Sequence, residues 1–131
     1  MSPIPSKQLA PGPEATYLKG LAQGTWRIQR CTECSRHVFP PRQYCPACES
    51  AKLEWVAPRP TGTVYSTTVV RLDPQQPYNV ALIDLTDGVR MMSSVTCPDP
   101  GDVYIGMPVR AEIEGSGDEA RIVFHPVAKE A

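Results

Sequence analysis

Four cysteines carry the clearest chemical signal in the chain. Cys31 and Cys34 form one C-x2-C pair, ten residues intervene, and Cys45 and Cys48 form a second pair. Each pair sets two thiolates on one tight turn. Two such knuckles supply a tetrahedron of sulfur around Zn2+, with Zn–S near ~2.3 Å. The ten residues between them suffice for a short hairpin that returns the second knuckle to the first. Pro46 sits inside the second knuckle, where its fixed φ favours the turn. All four positions are thiolates, so no place is left for water or substrate, and closed sites of this kind are structural. Tetrahedral sulfur also suits iron, as in a rubredoxin-like electron carrier. Two disulfides are the remaining reading. Zinc is favoured, because no redox motif accompanies the cysteines and a cytosolic chain keeps its thiols reduced.

Other reactive side chains read more simply. Arg27, Arg30, Arg36, Arg42 and Lys52 lie near the cysteines in sequence and can offset the charge of about −2 on a zinc tetrathiolate. His37, between the knuckles, reads as a hairpin residue. Cys97 precedes Pro98 in a loop and would need a base such as His to act as a nucleophile; the only other histidine is His125. Asp84 and Asp87 read as solvated groups at or near a hairpin turn. No glycine-rich phosphate loop, H-E-x-x-H or Ser-His-Asp arrangement stands out.

The elements that must position the cysteines are bounded by proline, which makes up 15 of 131 residues, about twice the usual share. Proline breaks helix interiors and central strands, so regular structure belongs in the Pro-free windows 14–39, 61–73, 78–97 and 109–125. Only the first looks helical. Pro13 to Gly24 reads as a short helix: Pro13 in the first turn, Glu14 at the positive end, Gly24 as the stop. Tyr17, Leu18 and Leu21 share its apolar face, with Trp26 just beyond.

The second half alternates strands and turns. Gly62–Leu72 is rich in Thr, Val and Tyr. Tyr78–Leu85 holds the buried-looking run Val80-Ala81-Leu82-Ile83 and reaches Asp87-Gly88, a two-residue hairpin signal. Val89–Val95 is the return strand. Val109, Ala111 and Ile113 alternate with charged residues, and Arg121–His125 closes the set. The fold class expected is mainly β: a short N-terminal helix, a zinc ribbon, then a five-stranded OB-fold barrel. Residues 1–12 read as a flexible arm, 13–58 as helix plus ribbon, and 59–131 as the barrel.

Residues 1–58 carry seven Lys/Arg against four Asp/Glu, and residues 59–131 six against ten. A nucleic-acid-binding ribbon and barrel is the alternative function, but the acidic barrel half and its few aromatics weaken it. Met1–Pro13 lacks the apolar core of a leader, and no run approaches a membrane span, so a cytoplasmic location is expected.

The order of parts is itself distinctive. A helix leads to Cys31-x2-Cys34, then Phe39-Pro40-Pro41-Arg42, then Cys45-Pro46-Ala47-Cys48. Gly62-Thr63-Val64-Tyr65-Ser66, Val80-Ala81-Leu82-Ile83-Asp84-Leu85, Gly88-Val89-Arg90 and Ile105-Gly106-Met107-Pro108-Val109 follow. Over about residues 13–127 the chain resembles the acyl-CoA-associated OB-fold family with an N-terminal rubredoxin-like zinc ribbon. The Pro-Pro-Arg step and the Ile-Gly-Met lead-in are more specific than the cysteine spacing. Pro58-Arg59-Pro60 departs from a glycine-richer approach to the barrel. The resemblance implies a small partner of a thiolase-like enzyme, such as a steroid side-chain retro-aldolase or an acyl-transferring complex. The partner would carry the catalytic residues, in a two-plus-two heterotetramer. This chain would support the complex and help form the acyl-CoA site, with Arg42 the first basic residue expected to meet the anionic CoA.

Overall fold

The fold is that of a computed structural model, which describes residues 12–127. The expected arm lies outside the described residues apart from Gly12. Helix α1 runs Pro13–Ala22 with Pro13 at its start and Glu14 in its first turn. Gln23 caps it, and Gly24 follows at φ 84°, a left-handed position that glycine adopts without strain.

Three short strands make the first sheet: β1 (Ile28–Cys31), β2 (His37–Val38) and β3 (Leu53–Val56), in the order β2-β1-β3. The ten residues between the knuckles are expected to form a hairpin, but only His37–Val38 among them is a strand, and it pairs back to β1 across the first knuckle; β1 and β3 are strands that the sequence does not announce. Leu53-Glu54-Trp55-Val56 is too short to show a period. It becomes a strand by pairing antiparallel with β1, Cys31 opposite Leu53 and Ile28 opposite Val56.

Five strands make the second sheet: β4 (Thr61–Val70), β5 (Tyr78–Leu85), β6 (Arg90–Ser93), β7 (Pro108–Glu114) and β8 (Arg121–Pro126). Their order is β6-β5-β4-β7-β8. A parallel bridge from Val95 to Phe124 joins the two edges, supported by Phe124 N–H to Ser94 O at 2.9 Å and Thr96 N–H to Phe124 O at 2.8 Å. The sheet thus closes on itself as an OB barrel. Tyr65 is the extra residue of a bulge where the β4–β5 register shifts between Val64 and Ser66.

Two expectations need correcting. The run Val80–Ile83 is not buried throughout: Ala81 and Ile83 face inward, while Val80 and Leu82 are half-buried on the outer face. The β5–β6 turn is also longer than two residues. Leu85 N–H bonds to Val89 O at 2.8 Å, enclosing Thr86, Asp87 and Gly88, and only Gly88 has positive φ. A two-residue turn of the expected type would need positive φ at Asp87 as well.

One apolar core unites the parts. Phe124, Ile83, Val109 and Val64 fill the barrel, and Leu21 of α1 and Ile28 of β1 are buried with them. Tyr17, Trp26, Phe39 and Val56 pack against the same cluster. Fully burying a large apolar side chain stabilises by roughly 1.5–3 kcal/mol. The helix and ribbon therefore contribute directly to the barrel's stability. A second, smaller cluster holds Cys31, Val38 and Cys45, with Cys34 and Leu53 beside them. Among the described residues, no helix is long and apolar enough to cross a membrane.

Candidate functional site

The two knuckles repeat the same backbone plan. In the first, Ser35 N–H bonds to Cys31 O at 2.9 Å and Cys31 N–H to Arg36 O at 2.8 Å. In the second, Glu49 N–H bonds to Cys45 O at 2.7 Å and Cys45 N–H to Ser50 O at 2.8 Å. Each knuckle ends on a left-handed residue, Ser35 at φ 69° and Glu49 at φ 65°. Thr32 N–H to Lys52 O, at 2.9 Å, ties the first knuckle to the approach to β3.

This plan converges all four sulfurs. The Sγ atoms of Cys31, Cys34, Cys45 and Cys48 lie within 4.8 Å of one another. Cys31 and Cys48 are 3.5 Å apart, Cys34 and Cys45 3.6 Å. A zinc tetrathiolate with Zn–S near ~2.3 Å has sulfur–sulfur edges of about 3.8 Å, so the donors fit that ion. All four cysteines are free thiols, which removes the disulfide reading. Among the described residues this is the one group of His, Cys, Asp and Glu side chains suited to a metal, and His37 is not part of it.

The knuckles also shape the sulfurs' acidity. A backbone hydrogen bond from Cys34, with Glu33 N–H and the neighbouring thiols, outweighs burial and brings Cys31 down to about 7. Burial raises Cys45, but the amides of Cys48 and Ala47 bring it below the usual thiol value. A backbone hydrogen bond from Ser50 pulls Cys48 down, yet its bonds to the other thiols and burial push it up to about 12. Displacing the thiol protons is part of metal binding.

Basic groups near the centre are partly committed. Arg30 pairs with Glu54 at 3.6 Å and Lys52 with Glu33 at 3.4 Å. Arg42 is exposed and makes no ion pair among the described residues. Its backbone, by contrast, is held. Gln29 accepts from Arg42 N–H and donates to Arg42 O, both at 2.7 Å. Gln29 escaped the sequence reading, because a lone glutamine gives no periodic or motif signal.

The remaining candidates take structural roles. Cys97 is half-buried, and burial with Asp102 and Asp99 nearby raises its thiol, the opposite of an activated nucleophile. Neither Asp84 nor Asp87 is simply solvated. Arg90 Nε donates to Asp84 at 2.6 Å while its guanidinium lies 3.4 Å from the Tyr65 ring centre. Asp87, its side chain 12% exposed, accepts from Arg59 N–H at 2.8 Å and so secures the Pro58-Arg59-Pro60 link.

Away from the metal centre, a groove lies between the helix and the barrel. It measures about 540 Å3 and runs between Leu18 on α1 and Tyr78, Val80 and Met92 on β5 and β6. Met92 is 70% exposed and Leu18 50%, so α1 presents Leu21 to the core and Leu18 to the groove.

Known proteins resemble both halves. The family model described as the ChsH2 rubredoxin-like zinc ribbon domain matches residues 18–54. That described as the ChsH2 C-terminal OB-fold domain matches residues 55–114. A DUF35 domain-containing scaffold protein of Methanocaldococcus jannaschii is 36% identical over 104 residues, covering 72% of this chain and 74% of that protein. The 3-oxo-4,17-pregnadiene-20-carboxyl-CoA hydratase alpha subunit of Mycobacterium tuberculosis is 37% identical over 103 residues, covering 74% of this chain. The chain spans only 32% of that subunit's length. Among solved structures, a chain of an Ltp2-ChsH2(DUF35) aldolase has a TM-score of 0.79 at 32% identity, covering 89% of this chain and 96% of that one. A DUF35 protein from Sulfolobus solfataricus shares the fold, with a TM-score of 0.60 at 23% identity over 86% of this chain and 83% of that one. The cofactor is structural zinc, and the chain belongs to the ChsH2/DUF35 family, in which a rubredoxin-like zinc ribbon leads into a C-terminal OB-fold.

Proposed function

We propose that the chain is a non-catalytic accessory subunit of a thiolase-like enzyme acting on an acyl-CoA in the cytoplasm. Carbon–carbon bond cleavage, as in a retro-aldol step, is the reaction class favoured. The likeness to a chain of an Ltp2-ChsH2(DUF35) aldolase, over 89% of this chain and 96% of that one, carries the reading. The hydratase alpha subunits named above and in Thermomonospora curvata are much longer, this chain spanning 32% and 41% of them, so hydration is not carried over.

In this proposal Cys31, Cys34, Cys45 and Cys48 are the four zinc ligands. Their closed sulfur shell leaves the ion no catalytic position. Zinc then holds the ribbon that carries Arg42, whose exposed guanidinium would meet a CoA phosphate. The apolar groove beside Leu18 and Met92 suits contact with the partner. Two copies of each chain form the complex. The outer face of β5 is Tyr78, Val80, Leu82 and Asp84, which opposes nucleic acid, since single-strand binders need a basic groove.

Co-expression with a thiolase-like protein encoded beside this chain tests the proposal. A stable two-plus-two complex with acyl-CoA turnover, lost when this chain is omitted, is expected. A chain that stays monomeric and leaves the partner's activity unchanged overturns it. Within such a complex, Arg42→Ala should weaken acyl-CoA binding by about tenfold, the loss of one charge-assisted contact. Unchanged affinity removes Arg42 from the site.

A further inference from the structure

We propose that Gln29 is a positioning residue for the metal centre, its side-chain amide clamping the second knuckle against the first. Gln29 lies at the middle of β1, two residues before Cys31, and is 4% exposed. Arg42 lies three residues before Cys45. The two 2.7 Å hydrogen bonds between the Gln29 amide and the Arg42 backbone therefore join the strand that ends in one knuckle to the segment that opens the other. Their sense is fixed. Arg42 N–H can only donate and its carbonyl only accept, so the amide oxygen faces the first and the amide nitrogen the second.

The segment has few other means of attachment. Pro40 and Pro41 have no N–H to donate. Among the described residues, the Gln29 clamp is the only hydrogen-bonded tie of 40–44 to the sheet. β1 is also the central strand of its sheet, with Gln29 opposite Val38 on one side and Trp55 on the other. Its side chain reaches beyond the sheet and pairs with a peptide group as another strand would. Glutamine suits this position: Asn is one methylene short, and Glu cannot donate to the Arg42 carbonyl. An apolar residue would leave both Arg42 backbone groups without protein partners.

The full chain carrying one Zn2+ is challenged with excess 4-(2-pyridylazo)resorcinol, and zinc release is followed by colour. Gln29→Met is expected to release zinc at least about tenfold faster than the unaltered chain, the scale on which outer-sphere partners tune metal sites. Gln29→Glu, which keeps one of the two bonds, should fall between. Ile28→Val on the same strand lowers the melting temperature through core packing and, since core and metal share β1, should speed release by much less than Gln29→Met does. A Co2+-loaded sample gives a second readout: the visible d–d bands shift in Gln29→Met and not in Ile28→Val. Release from Gln29→Met within about twofold of the unaltered chain, below the range expected for such partners, overturns the proposal. So does equal acceleration in Ile28→Val. If Gln29→Met does not fold, Gln29→Glu decides by the same rate, and release as slow as the unaltered chain overturns it.

Discussion

Asn79 shows how one polar side chain can hold a barrel together. It is 3% exposed on the inner face of β5. Its Oδ1 accepts from Val95 N–H at 3.0 Å, and its Nδ2 donates to Thr67 Oγ1 at 2.6 Å. Val95 is the residue that bridges to Phe124, so Asn79 braces the closing seam from inside. Asn79→Leu leaves the Val95 N–H unsatisfied and should cost about 1–3 kcal/mol, read from urea unfolding. Tyr17 makes a different residue-scale prediction. Burial pushes its hydroxyl above the usual value of 10.0, with the nearby Trp26 N–H opposing more weakly. The fold thus favours the neutral phenol. Its contribution is fully present below the unfolded value and is lost as pH rises through the raised folded value. Tyr17→Phe should lessen the fall in melting temperature as pH rises above about 10, measured by circular dichroism.

At the scale of elements, α1 divides its two leucines between different tasks. Leu21 is in the core and Leu18 is half exposed. Leu21→Ala should cost about 2–5 kcal/mol by leaving a cavity. Leu18→Ala should stay within about 0.5 kcal/mol of the unaltered chain and, under the proposed function, weaken complex assembly. Strand β4 supplies a second contrast. A Cβ on Gly62 would stand 2.6 Å from Asp84 O of β5, a backbone atom that cannot swing away. Gly62→Ala should therefore cost about 1–3 kcal/mol, seen as a lower denaturation midpoint. These elements differ in how well the chain announces them. Pro13, Glu14 and Gly24 mark the helix at both ends, and the cysteine spacing marks the metal centre, because each rule is local. β3 did not show, and the 86–88 turn showed in its place but not in its length. The first is a strand only because β1 lies beside it, and the second depends on the φ of Asp87. Gln29 was invisible for the same reason, since its partner lies thirteen residues away.

At the scale of the molecule, metal and core are linked through β1. Ile28 belongs to the barrel core and Cys31 to the sulfur cluster, with two residues between them. Zinc removal by a chelator should abolish amide-exchange protection across β1, β2 and β3. It should lower, without abolishing, protection in β4, β5 and β7, and readdition of zinc should restore both. Acid should act in the same direction, since thiolates must stay deprotonated to hold the metal. Uniform loss of protection across all eight strands would show that the barrel has no stability of its own.

The plug formed by Leu21, Ile28, Tyr17, Trp26, Phe39 and Val56 has a consequence for inheritance. All six residues precede the Pro58-Arg59-Pro60 link, yet all pack into the core of the barrel that follows it. A cut at that link would give a ribbon with a bare apolar underside and a barrel without its stopper. Recombination that exchanged either half alone would have to find a new fit for those six side chains at once. The two halves are thus placed to travel through evolution as a single cassette.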